Sequence, residues 1–141
     1  MWIIFFMEEK NSFLKNKIDL NSPNKNIVPI TTLVDNEGKL SIGGCSIEEL
    51  VKKYDSPLYI LDENSLRNSC RAYKKALKEY YPGESLPIYA SKANSSVFMS
   101  YLVASEGFGL DAVSEGELLT ALEGGVPNEK IIFHGNNKSD N

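Results

Sequence analysis

Cysteine, histidine and tryptophan are scarce in this chain, and each shortage narrows what the protein can be. Its two cysteines, Cys45 and Cys70, have neither metal-ligand nor CxxC spacing. Two thiols with no framework around them exclude a disulfide scaffold and point to a reducing compartment, the cytoplasm. With a single histidine, His134, no metal-ligand pattern is present either. Basic charge is not concentrated: net charge is −4 and no Lys/Arg cluster runs along one face, so the electrostatic footprint of a nucleic-acid binder is absent. Long hydrophobic runs are lacking too. Trp2-Ile3-Ile4-Phe5-Phe6-Met7 is apolar but far too short to span a bilayer. It has no basic stretch before it and no small-residue cleavage site after it, as a secretory signal would. It reads as a short extension upstream of an alternative start at Met7. No membrane partner is expected. What remains, 42% hydrophobic and 24% charged over 141 residues, is the make-up of a globular protein long enough for one real core.

Residues 8–27 are polar, rich in Asn, Lys and Ser, and without sustained period. With the apolar run before them they make 1–27 a flexible leader. From Val28 the texture changes. Residues 30–34 are strand-like, 35–38 carry turn chemistry, and 39–42 form a second short strand, so 28–45 reads as an N-terminal β segment. A lone hairpin is marginal in water and must dock on something else.

A regular pattern follows from residue 46 onward. Ser46 with Glu49 resembles a capping box opening a short helix, and 57–61 has strand character. Asp62 can cap a long helix whose stripe is Leu66, Cys70, Tyr73, Leu77 and Tyr80, ended by Pro82-Gly83. Residues 86–90 form the next strand. Ser95 or Ser96 then starts a helix that Gly107 stops, and 109–113 is another strand. Ser114 and Glu117 form a second S-x-x-E box, Gly124-Gly125 and Pro127 end its helix, and 130–133 is a final strand.

Strand and helix thus alternate three times and close on a fourth strand, which implies parallel strands and an α/β fold. Periodicity leaves two forms open, a doubly wound sheet or a (β/α)8 TIM-type barrel. A barrel needs about 250 residues, so this chain would supply roughly its first half. In either form chemistry collects at the C-terminal ends of the strands. Lys92, Asp111 and His134 all fall there. An ammonium at the end of a buried strand is costly, and burial would lower the lysine pKa and favour attack on a carbonyl; position alone equally allows a lysine exposed at the start of a loop.

The residues around these positions carry a resemblance. Tyr89-Ala90-Ser91-Lys92-Ala93-Asn94 is similar to the Y-A-x-K-A-N segment of the fold type III pyridoxal-phosphate enzymes, the group of alanine racemase and the ornithine and diaminopimelate decarboxylases. Residues 57–62 resemble the group's P-x-Y-V-x-D strand, and 109–118 its G-x-D-V-x-S-x-G-E-L stretch. In the latter Gly116 keeps the second glycine of the usual S-G-G-E-L, while Glu115 replaces the first. His134-Gly135-Asn136-Asn137-Lys138-Ser139 is similar to the H-G-N-N-K-S run of the diaminopimelate branch.

The resemblance implies a PLP-binding barrel, with its N-terminal part in 46–141. It also implies that the hairpin belongs to a C-terminal β-domain absent from this chain. Lys92 would bind pyridoxal 5'-phosphate as an imine, and Asp111 would hold an ammonium or orient the substrate amine. His134 would lie at the cofactor-binding pocket mouth, with Asn136, Asn137 and Lys138 shaping the rim. Glu117 matches a family glutamate, but its place in the capping box explains it completely. The implied reaction is decarboxylation of meso-2,6-diaminopimelate to L-lysine by a cytoplasmic homodimer acting on a small amino acid. Related ornithine or arginine decarboxylation, racemisation, and a non-catalytic PLP-binding remnant are the alternatives. The group's phosphate loop, ring-stacking histidine and substrate arginine would fall after residue 141, so the 141 residues alone are expected to be inactive.

Overall fold

The computed structural model describes the backbone of residues 2–5 and all of residues 27–135. Asn136, Asn137 and Lys138, expected at the rim, lie outside the described residues. The chain divides into two compact units, Met1–Asn68 and Ser69–Asn141. Among the described residues no helix is long and apolar enough to cross a membrane.

The first unit opens on a strand where the sequence suggests only a leader. Trp2–Phe5 form β1, which pairs in parallel with β5 (Leu58–Leu61), Trp2 opposite Leu58. The expected hairpin is present with shorter strands, β2 (Leu33–Val34) and β3 (Leu40–Ile42). Residues 30–32 are not strand because the Thr32 N–H donates to the Pro29 carbonyl at 3.0 Å, closing a turn. At the hairpin tip Asp35 Oδ1 accepts from the Glu37 and Lys39 amides, each at 2.9 Å. This is the local side-chain bonding that makes aspartate a turn residue. A third strand, β4 (Cys45–Ser46), folds back on β3 through Gly43 and Gly44, whose φ values are 59° and 77°. Two successive positive φ values are what a two-residue type I′ turn requires, and glycine supplies them without strain. Helix α1 (Ile47–Tyr54) packs on β3 and β4 and buries Leu50, so the hairpin is docked within its own unit.

Helix α2 (Glu63–Tyr80) begins on buried Asp62, whose Oδ2 accepts from the Ser65 amide at 3.0 Å. Its apolar stripe is only partly covered, with Leu66, Cys70 and Leu77 half-buried. No residue of α2 is buried, and Tyr73 and Tyr80 are 68% and 79% exposed. Periodicity shows which face could be buried, but tertiary contacts decide whether it is.

The second unit is a three-stranded parallel sheet, β6 (Ile88–Ala90), β7 (Gly109–Ala112) and β8 (Ile131–Phe133) in that order. Parallel strands are the expected arrangement, although β5 pairs with β1 rather than joining this sheet. Strand β6 starts two residues late because Pro87 has no N–H for a ladder bond. Helices α3 (Val97–Ser105) and α4 (Glu115–Glu123) connect the strands and pack on each other and on β7. Met99, Leu102, Val103, Leu110, Ala112, Ala121 and Val126 are buried and form the core.

Both helices end in the same way. After α3 the Phe108 N–H donates to Val103 O and the Gly107 N–H to Ala104 O; after α4, Val126 donates to Ala121 O and Gly125 to Leu122 O. These paired bonds are Schellman closures, with Gly107 and Gly125 in the left-handed position at φ 84° and 76°. Gly124 serves differently: a methyl added there would overlap Ser100 Cβ on α3, so its lack of a side chain sets how closely the helices approach.

Gly124→Ala should therefore lower the unfolding free energy by about 1–3 kcal/mol. Gly116→Ala in the first turn of α4, where a Cβ meets nothing within 4 Å, should raise it by about 0.5–1 kcal/mol. Denaturant titration of the two variants checks both signs, and equal responses would contradict the packing described.

Candidate active site

The ladder of the second sheet brings the three expected site positions to one edge. Ala90 pairs with Asp111, and Asp111 with Ile132, so the C-terminal ends of β6, β7 and β8 are level. Lys92 follows β6 by two residues, Asp111 lies in β7, and His134 directly follows β8.

Of the two placements open to a lysine at a strand end, Lys92 takes the exposed one at the start of a loop. Strand β6 ends at Ala90 and a single 3-10 turn, Ser91–Ala93, follows; its buried position is taken by Ser91, 2% exposed, while Lys92 stands in solvent. Lys92 has no hydrogen-bond or ion-pair partner among the described residues.

That turn is held at three points. The Ser91 hydroxyl donates to the Asp111 carbonyl at 2.7 Å, the Tyr89 hydroxyl to the Asn94 carbonyl at 3.2 Å, and the Ser96 amide to Asn94 Oδ1 at 3.0 Å. Ser96 also caps α3, accepting from the Met99 amide at 3.3 Å. Burial pushes the Tyr89 phenol above its ordinary pKa, which keeps it a donor to Asn94.

Asp111 and His134 are brought together. His134 Nε2 lies 2.7 Å from Asp111 Oδ1, an ion pair whenever the imidazole is protonated. The approach is close but out of line for a hydrogen bond, and among the described residues Oδ1 is buried with no aligned donor. An N–H off its acceptor's axis binds weakly, so the short distance does not make this a strong hydrogen bond. An acceptor left in that state is costly unless a donor reaches it.

Glu117 is accounted for without chemistry. Its amide donates to Ser114 Oγ at 3.3 Å, and its carboxylate accepts from the Val113 amide at 2.7 Å. This is the capping box, with the return bond made one residue before the cap. Glu115, which replaces a glycine of the family pattern, is simply the first residue of α4, where an acidic side chain suits the helix dipole. Ser91 was not singled out by sequence reasoning. Its only signal there was a hydroxyl residue at a strand end beside a charged one.

The sequence profile described as pyridoxal-dependent decarboxylase, pyridoxal binding domain, matches residues 63–141, more than half of the chain. The chain belongs to this family. It is 46% identical over 127 residues to the diaminopimelate decarboxylase of Synechocystis sp., an overlap covering 84% of this chain and 27% of that protein. With the diaminopimelate decarboxylase of Bacillus subtilis it shares 44% identity over 110 residues, 77% of this chain and 25% of the relative. The crystal structure of diaminopimelate decarboxylase from M. jannaschii in co-complex with L-lysine superposes with a TM-score of 0.71 at 34% identity. That match covers 78% of this chain and 26% of the other. The chain thus spans about a quarter of the length of the decarboxylases it matches.

The described residues fit the reactive end of a pyridoxal cofactor. Its aldehyde requires an amine with no competing partner, which Lys92 offers among the described residues, and a charged amine nearby would give Asp111 Oδ1 the aligned donor that these residues do not supply.

Tyr89→Phe should cost about 1 kcal/mol of stability at neutral pH through the lost hydrogen bond to Asn94. The folded-state pKa of Tyr89 is raised, so its contribution is complete below the ordinary value of 10.0 and is lost as pH climbs through the folded value. Denaturation of the two proteins from pH 7 upward should show the gap closing in strong alkali. A gap that widened there would contradict the assignment.

Proposed function

We propose that the protein carrying this chain is a pyridoxal-phosphate-dependent carboxy-lyase that converts meso-2,6-diaminopimelate to L-lysine and CO2. The observation that supports this reading is the Lys92 amine, unpartnered among the described residues, on the same sheet edge as Asp111, whose buried Oδ1 lacks an aligned donor among them. The substrate follows from the relatives, named as diaminopimelate decarboxylases, one of them bound to L-lysine.

When bound, pyridoxal phosphate supplies an aldehyde that bonds to an amine and a ring that takes up the electron pair released with CO2. Lys92 is the residue that would attach it and return to a free ammonium when a substrate amine takes its place. Asp111 would hold that ammonium or orient the substrate amine, since a carboxylate with an unfilled lone pair favours a charged donor. His134, in contact with Asp111, would border the cofactor and limit where the carboxylate can turn. We place residues 46–141 in the N-terminal part of a (β/α)8 barrel and assign 28–45 to a second, β-rich domain. A cytoplasmic homodimer acting on a free amino acid fits this reading. Its cysteines are thiols, and the family motifs call for residues beyond position 141.

Protein expressed from its complete reading frame should release CO2 from meso-2,6-diaminopimelate in preference to ornithine or arginine. Lys92→Ala should abolish the visible absorbance of the lysine-bound cofactor and lower turnover by about three orders of magnitude or more. Retained absorbance after that change, or release of CO2 from ornithine alone, would overturn the proposal.

A further inference from the structure

The cross-strand ladder between β6 and β7 stops at the Ala90–Asp111 pair, one residue before the turn that carries Lys92. Beyond that point the next link between the two strands is a side chain. Ser91, 2% exposed, donates its hydroxyl to the Asp111 backbone carbonyl at 2.7 Å. The lysine turn is thereby tied to the very residue whose carboxylate faces His134. Lys92 itself has a long flexible stem and no partner of its own among the described residues, so its reach depends on where the turn is anchored.

We propose that Ser91 is a positioning residue that sets the separation between the Lys92 amine and the Asp111 carboxylate. This rests on the reading of Lys92 as the cofactor-binding lysine. The family segment Y-A-x-K-A-N leaves the position of Ser91 open, so the motif itself does not assign it a role. A hydroxyl that merely satisfied itself could bond within its own turn. This one crosses to the neighbouring strand where the backbone ladder has run out, and its partner is the second residue of the site. Removing it frees the turn to drift from Asp111, and small misplacements of a reacting group are expensive.

The test uses protein from the complete reading frame, unmodified and as Ser91→Ala, Ser91→Thr and Ser91→Cys, titrated with pyridoxal phosphate. The adduct is fixed with borohydride and located by peptide mass spectrometry. In the unmodified protein the label should fall on Lys92 in preference to the exposed Lys75 and Lys78. Ser91→Ala should need about ten-fold more cofactor for half-labelling of Lys92, with selectivity over Lys75 and Lys78 falling in parallel. Ser91→Thr, which restores the hydroxyl, should recover most of both. A purely structural serine would lower the melting point without changing that selectivity. If Ser91→Ala does not fold, Ser91→Cys is read instead; its weaker donor should leave a several-fold loss. Labelling of Lys92 in the unmodified protein together with unchanged concentration dependence in the folded Ser91 variants would overturn the role of Ser91 alone. Absence of label on Lys92 in the unmodified protein would overturn the cofactor reading and this inference with it.

Discussion

Because β6, β7 and β8 run parallel with Ala90 beside Asp111 and Asp111 beside Ile132, three loops leave the sheet at one level. A shift of one residue in either ladder would turn every side chain of a strand to the opposite face. Asp111 would then be lost from the edge and the Ser91 hydroxyl would find no carbonyl. The contact of His134 with Asp111 has the same origin, since the His134 amide continues the β7–β8 pairing by donating to the Ala112 carbonyl at 3.0 Å. Register is thus the constraint from which the site geometry follows.

That register is held by the helices behind it. Gly107 and Gly125 turn the chain out of α3 and α4 so that Phe108 and Val126 drop into the core next to the strands they lead towards. The end of α3 is also neutralised. Glu106, with its side chain 9% exposed, takes both a 2.9 Å bond from Arg71 Nη2 and a 3.2 Å bond from Arg71 Nε. Lys74 donates to the Glu106 carbonyl at 2.7 Å, where a cation suits the negative end of a helix. A buried carboxylate without such a fork would be strongly unfavourable. These polar links, not an apolar seam, tie the C-terminal half of α2 to the end of α3.

Local chemistry made much of this legible in the sequence. Ser46, Ser96 and Ser114 cap helices because their hydroxyls reach an amide three residues on, and that spacing can be read directly. The glycines that stop α3 and α4 were equally plain. Non-local facts were not. The stripe on α2 has helical spacing but is only half-buried at Leu66, Cys70 and Leu77 and open at Tyr73 and Tyr80, since spacing says nothing about what packs against it. Strand-end position leaves Lys92 open to burial or exposure, and only the 3-10 turn decides it by giving the inward place to Ser91. Strand β1 is hidden because a short apolar run carries no period of its own, and β4 because two residues are too few to show one. The resemblance identified Lys92 and Asp111 from their neighbours, but the misaligned contact between Asp111 and His134 could come only from coordinates.

On the proposed function, one sheet edge holds the cofactor through Lys92, with Asp111 beside it. A crystal structure of the protein from its complete reading frame, grown with pyridoxal phosphate, tests this most directly. Continuous density from Lys92 Nζ into the cofactor, with Asp111 within hydrogen-bond reach of the attached or displaced amine, is the predicted result. Density joined to a different lysine, or a cofactor bound away from the ends of β6 and β7, would contradict it.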